Sequence, residues 1–135
     1  MIEADEMGSS VGSKGDVHGV WVARDAGTRR VRAMVVGDWS AATAQRLWAA
    51  LPRGYRTRVT VCTDVLASYR QAIPRVRHRA VGQDTGRTAH IERVGLTLRQ
   101  RCARFVRKTL TFSKCPRNHL GARWYFIRLY NLCHQ

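Results

Sequence analysis

Acidic residues are few in this chain and vanish toward its end: nine Asp or Glu stand against 24 Lys or Arg in 135 residues, for a formal net charge of +15. An imbalance of that size is too lopsided for an ordinary metabolic enzyme and implies a polyanionic partner. Lysine is scarce as well, three against 21 arginines. The ratio suits bidentate phosphate contacts, and a compositional bias of the genome would give the same ratio. No uncharged apolar run reaches the roughly 18 residues that a bilayer span needs. The acidic start, Met1-Ile2-Glu3-Ala4-Asp5-Glu6, has neither a basic n-region nor an apolar h-region, so no signal peptide is expected. Cys62, Cys102, Cys115 and Cys133 include no C-x-x-C pair, which points to reduced thiols in a cytosol. Cys115, His119, Cys133 and His134 fit no common zinc spacing. No Ser/His/Asp or Cys/His arrangement stands at recognisable spacing either.

The charge that is present is unevenly spread. Residues 1–38 hold six acids and five bases, whereas residues 39–135 hold three acids and nineteen bases. Glu92 is the last acid of the chain, and the 43 residues after it carry ten Lys or Arg. Asp5 and Asp64 are similarly isolated, each where a short β-like run passes or ends. Three carboxylates that could converge beside a polyanion-binding surface suggest metal-assisted phosphoryl chemistry on nucleic acid. Each has a plainer reading. Asp64 alone is a turn former or helix cap, and Glu92 alone complements a helix dipole. Asp5 alone is a strand residue, with Glu3 and Glu6 as equal candidates. His90 reads as a capping or structural histidine, and Trp21, Trp39, Trp48 and Trp124 as core or edge aromatics.

With 44% apolar residues the chain can form one domain of typical size. Met1 to Met7, Val17 to Ala23 and Val31 to Val36 read as strands. Gly12 to Asp16 and Asp25 to Thr28 have the composition of hairpin connections, so a three-stranded antiparallel meander is expected. Ser40 can cap a helix over Ala41 to Leu51, which Pro52 and Gly54 stop. Val59 to Cys62 is then a short buried strand ending at Asp64, reached by a crossover to a parallel partner. Val65 to Gln71 reads as a short helix, Arg75 to Val81 as an edge strand, and Gly82 to Arg87 as a polar loop. From Thr88 onward Ile91, Val94, Leu98, Cys102 and Phe105 fall on one helical stripe. Glu92 lies beside that stripe and shares a face with Gly95 and Arg99. Pro116 opens a last packing helix through Leu120, Trp124, Ile127 and Leu129 to Leu132, with Arg117, Arg123 and Arg128 exposed.

Several blocks resemble a single family. Ile2-Glu3-Ala4-Asp5-Glu6-Met7, Val35-Val36-Gly37-Asp38, Thr63-Asp64-Val65-Leu66-Ala67-Ser68-Tyr69 and His90-Ile91-Glu92-Arg93 are similar to the catalytic part of transposases of the insertion-sequence-one family. So are Leu98-Arg99-Gln100-Arg101, Arg107 to Lys114 and Tyr130-Asn131. The resemblance implies an α/β, ribonuclease H-like fold with a mixed sheet of about five strands, the meander plus parallel strands, flanked by helices. It implies one DDE-type catalytic domain over residues 1–135 without a separate DNA-recognition domain. Asp5, Asp64 and Glu92 would be the acidic triad holding two Mg²⁺ or Mn²⁺ ions, whose hard-oxygen preference suits carboxylates. Arg99, Arg101, Arg104, Arg107, Lys108 and Lys114 would contact DNA phosphates, although such a run can also be a hydrated helix face. The expected partners are double-stranded DNA at element ends and target, further copies of the chain on DNA, and an upstream DNA-binding reading-frame product. The expected location is the cytoplasm, at the nucleoid. The family usually has Asn three residues after the glutamate, where this chain has Gly95; a non-catalytic DNA-binding remnant is the alternative that departure leaves.

Overall fold

The computed structural model describes residues 1–10, 17–64, 66–81 and 116–132. Strands β1 (Ile2–Ser10), β2 (Val17–Asp25) and β3 (Val31–Gly37) form the expected antiparallel meander. Helix α1 (Ala41–Ala50) begins where the Ser40 hydroxyl accepts the Thr43 N–H at 3.4 Å. A second, short helix α2 (Arg53–Arg58) follows. The chain then enters β4 (Val61–Thr63), which pairs in parallel with β1 on the edge opposite β2. Helix α3 (Ala67–Ala72) leads to β5 (His78–Ala80), parallel to β4. The sheet order is therefore β3-β2-β1-β4-β5. The last described element is α4 (Pro116–Leu132). No helix among the described residues is long and apolar enough to cross a membrane.

Strand alternation sorts the sheet into two faces. Ile2, Ala4, Trp21, Ala23, Ala33 and Val61 face α1 and α3, where they meet Ala44, Leu47, Tyr69 and Ile73 in the main core. Val20, Val22, Val31 and Met34 face the other way and pack against Ile127 and Tyr130 of α4. Val31 and Met34 are three residues apart and would ordinarily point to opposite sides. A bulge makes them neighbours: Ala23 pairs with Ala33 but Arg24 pairs with Val31, which leaves Arg32 as the extra residue. Asn131 locks α4 to this point, its amide accepting the Val31 N–H at 2.8 Å and donating to the Val31 carbonyl at 2.9 Å. Each buried aliphatic side chain contributes about 1.5–3 kcal/mol, so both layers depend on the register of β2.

The end of β3 is packed tightly against the start of α1. A Cβ added to Gly37 would fall 2.5 Å from Thr43 Oγ1 and 2.8 Å from Thr43 Cγ2. Thr43 is buried and its hydroxyl donates to Asp38 Oδ1 at 2.7 Å, so it cannot turn aside without losing that bond. Gly37→Ala should therefore destabilise the fold by about 1–3 kcal/mol, the usual cost of overpacking. Urea denaturation checks this, and an unchanged midpoint would show that α1 yields freely.

Several boundaries differ from those read in the sequence. Helix α1 ends at Ala50 with Leu51 as its C-cap, just before Pro52 as expected. What the sequence did not announce is that Pro52 is also the N-cap of α2, which contains Gly54, a place where a fixed φ and a missing N–H cost little. The crossover strand starts at Val61 rather than Val59, whose backbone N–H closes α2 on Tyr55 at 3.1 Å. In α4, Trp124, Leu129 and Leu132 are exposed, and the packing residues are Ile127 and Tyr130. Of the aromatics read as core or edge, Trp21 is core and Trp39 is a partly exposed edge ring beside it. Residues 11–16, the polar loop from Gly82 and the helix expected from Thr88 lie outside the described residues, as do Cys102, Cys115 and Cys133. Cys62 is buried, its Sγ 3.4 Å from Met1 Sδ, and forms no disulfide among the described residues.

Candidate active site

The parallel pairing of β1 and β4 decides where the acids go. Ile2 lies beside Val61 and Glu3 beside Cys62. Two residues further along each chain, Asp5 comes level with Asp64, which directly follows the last residue of β4. In open α/β sheets the crevice beyond the carboxyl ends of parallel strands is the usual place for a ligand. Asp64 is exposed there and Asp5 is half-buried. The turn that holds Asp64 is well braced. Its Oδ1 accepts the Leu66 N–H at 3.1 Å, and the Thr63 hydroxyl donates to its carbonyl at 2.8 Å. The buried Thr63 Oγ1 is also 2.7 Å from His78 Nε2, so it accepts there if that nitrogen carries the proton. The plain turn-former reading of Asp64 is thus correct as far as it goes, and it engages one carboxylate oxygen.

Glu6 is the third carboxylate of the cluster. It projects to the α3 side of β1, where Tyr69 Oη donates to its Oε2 at 2.7 Å. Tyr69 is fully buried and stacks edge-on to Trp21. Burial pushes the Glu6 carboxyl up to about 7, and the charges of Asp64 and Asp5 push the same way against the opposing Tyr69 hydrogen bond. Burial, with the Glu6 charge beside it, likewise holds the Tyr69 phenol far above its ordinary range. Tyr69 therefore stays a proton donor.

A raised carboxylate has a definite pH signature. Between its ordinary 4.5 and about 7, folded Glu6 keeps a proton that the unfolded chain has lost. Stability then falls as pH rises through that window and levels off above it. Because Glu6 is partly solvated, the effect should be about 1–2 kcal/mol after allowance for screening. Glu6→Gln keeps an acceptor for Tyr69 and removes the titration. In EDTA, urea midpoints of the variant should stay flat from pH 5 to 7.5 relative to the parent; parallel curves would mean that Glu6 is ordinary.

Glu3, an equal candidate with Asp5 in the sequence, is committed elsewhere. Its Oε2 pairs with Arg24 Nη2 at 2.8 Å on the α4 face, both side chains being nearly buried. Strand alternation separates it from Glu6, and the buried Arg24 that claims it carried no sequence signal. Glu92 lies outside the described residues, and so do Arg99, Arg101, Arg104, Arg107, Lys108 and Lys114. Among the described residues no three His, Cys, Asp or Glu converge closely enough to hold a metal ion. The sequence reading underrated Glu6 with Tyr69. The signal available was period-two alternation, which puts positions 5 and 6 on opposite sides of one strand.

A mixed sheet, helices on both faces and carboxylates on neighbouring parallel strands, Asp5 and Glu6 within β1 and Asp64 just past β4, define an α/β protein with a local group of acids in a strongly basic chain. The chain belongs to the IS1 transposase family, whose pattern matches residues 1–129. It is 36% identical over 119 residues to the insertion element iso-IS1n protein InsB of Shigella dysenteriae, which covers 87% of this chain and 86% of that protein. The resemblance to the insertion-sequence-one family is thereby borne out. No solved structure matches the chain.

Proposed function

We propose that the chain is the catalytic part of its transposase, a single ribonuclease H-like domain of the DDE type that cleaves DNA and transfers the cut strand. The observation that carries this reading is the adjacency of Asp5 and Asp64 beyond the parallel β1–β4 pair in a member of the IS1 transposase family. The order β3-β2-β1-β4-β5 supports the fold assignment. Asp5 and Asp64, with Glu92 as third member, would hold two Mg²⁺ or Mn²⁺ ions. The donor set fits: all three are hard oxygen ligands, and Asp64 and Asp5 lie close enough to Glu6 to add to the upward shift that burial gives its carboxyl, negative charge that a divalent cation would offset. Such ions, when bound, activate a water or a DNA 3′-hydroxyl and stabilise the leaving 3′-oxygen. Tyr69 would keep Glu6 turned away from Asp5, and the braced turn at Thr63 would fix Asp64.

Arg99, Arg101, Arg104, Arg107, Lys108 and Lys114 are proposed to hold the DNA phosphates, in keeping with the +15 net charge. Double-stranded DNA at element ends and target is the proposed partner, with further copies of the chain and an upstream DNA-binding product completing the complex at the nucleoid. A labelled duplex bearing the terminal repeat tests the reading. Nicking and strand transfer are expected in Mg²⁺ or Mn²⁺ and not in EDTA. Binding without strand breakage in any divalent metal would favour the non-catalytic remnant.

A further inference from the structure

A cleft of about 620 Å³ opens between the start of β3 and α4, lined by Arg30, Val31, Trp124, Tyr125, Arg128 and Asn131 among others. Its aromatic rings are solvent-facing, Trp124 being 48% and Tyr125 58% exposed, and Arg128 is exposed beside them. The floor is rigid, because Asn131 is bonded to both backbone groups of Val31. Arg30 Nε is buried and meets no acceptor among the described residues. Rings with an open face, two guanidinium groups and an unused donor make a site for something flat, polar and anionic.

We propose that this cleft binds an unpaired nucleotide of DNA, its base stacked on Trp124 or Tyr125 and its phosphates held by Arg30 and Arg128. A base inside a duplex has both faces covered, so an open aromatic platform selects a single-stranded or flipped one. A second copy of the chain would also cover the rings. Charge argues against that occupant, since each copy carries +15 and would bring arginine against arginine. The cleft lies on the α4 face of the sheet, the face to which alternation assigns Asp5. Val31 and Asp5 are separated by two strand spacings of about 4.8 Å and two residue steps of about 3.3 Å, roughly 12 Å in all. Helix α4 covers Val22 and Met34 on the straight line between them, so a strand leaving the carboxylates would pass around that helix, over more than the roughly four nucleotides that the direct distance needs, to reach the platform. The proposal rests on the DNA-acting reading above but not on cleavage.

The test is binding of a fluorescein-labelled 12-nucleotide single strand and of its duplex to the full chain in EDTA, by anisotropy. Trp124→Ala/Tyr125→Ala should weaken single-strand binding about tenfold or more, with duplex affinity unchanged and Trp124→Phe close to the parent. Arg30→Gln/Arg128→Gln should flatten the salt dependence of single-strand binding. Circular dichroism verifies folding; both rings are exposed, so the variants should be native. Unchanged single-strand affinity in the aromatic variant would overturn the proposal. So would a parent dimer in sedimentation that the variant turns into a monomer without loss of single-strand affinity, which would assign the rings to self-association. Because no metal is present, failure of strand cleavage leaves this outcome readable, and loss of the platform leaves the nicking assay readable.

Discussion

Asp64→Asn should eliminate metal-dependent nicking while leaving the fold and DNA affinity intact. The amide oxygen of Asn can still accept the Leu66 N–H that Asp64 Oδ1 accepts at 3.1 Å, so the turn after β4 survives. What is lost is the charge. Loss of an outer partner of a metal ligand costs about 10- to 100-fold, and a direct ligand should cost more than that. Affinity for duplex DNA should hold or rise slightly, since one negative charge leaves the surface proposed to receive phosphates. Asp5→Asn should behave in the same way, because Asp5 occupies the corresponding position on β1. Glu6→Gln should reduce nicking less than either, since Glu6 is turned to Tyr69. Thermal melting of each variant separates chemistry from folding. Nicking by Asp64→Asn within a few fold of the parent would remove Asp64 from the reaction and the DDE reading with it.

Much of the architecture was readable because it rests on short-range physics. Alternation defined β1, β2 and β3, and a Ser at position 40 announced α1. The position of Asp64 after a buried three-residue strand was legible for the same reason: an apolar run that ends at a turn former leaves little choice. The features that escaped depend on contacts distant in sequence. Nothing near Glu3 shows that Arg24, 21 residues later, will neutralise it. The bulge at Arg32 arises from pairing with β2, and it alone lets Val31 and Met34 face α4 together. Helix α2 buries no residue, so it has no apolar stripe for a periodicity argument to find. The outward turn of Trp124, Leu129 and Leu132 has a similar origin: a helix of mixed composition shows its stripe only once its partner face, here Val20, Val22, Val31 and Met34, is known. At the site, the adjacency of Asp5 and Asp64 required the parallel register, which no local pattern encodes.

The largest effect on stability should come from Trp21→Ala. Trp21 is wholly buried at the centre of the sheet, level with Glu6 on β1 and Val35 on β3. Its Nε1 donates to the Asp38 carbonyl at 3.0 Å, tying β2 to the loop that starts α1. Its ring meets Tyr69 edge-on at 5.1 Å and Trp39 at 6.1 Å. Truncation removes the ring's burial, leaves a cavity between the sheet and α3, and strands the Asp38 carbonyl; such changes cost about 3–5 kcal/mol. Against a total of about 5–15 kcal/mol for a domain, much of the chain should then be unfolded at 37 °C. Trp21→Phe keeps most of the volume and loses the N–H, so about 1–2 kcal/mol is expected. Urea titration gives both values. The order matters more than either number: if the Phe variant were as unstable as the Ala variant, the Asp38 hydrogen bond rather than packing would hold this end of the sheet. If packing dominates, the cavity should also loosen Tyr69 and thereby free Glu6, so the pH profile of Trp21→Ala should lose the fall between pH 4.5 and 7 that burial of Glu6 gives the parent.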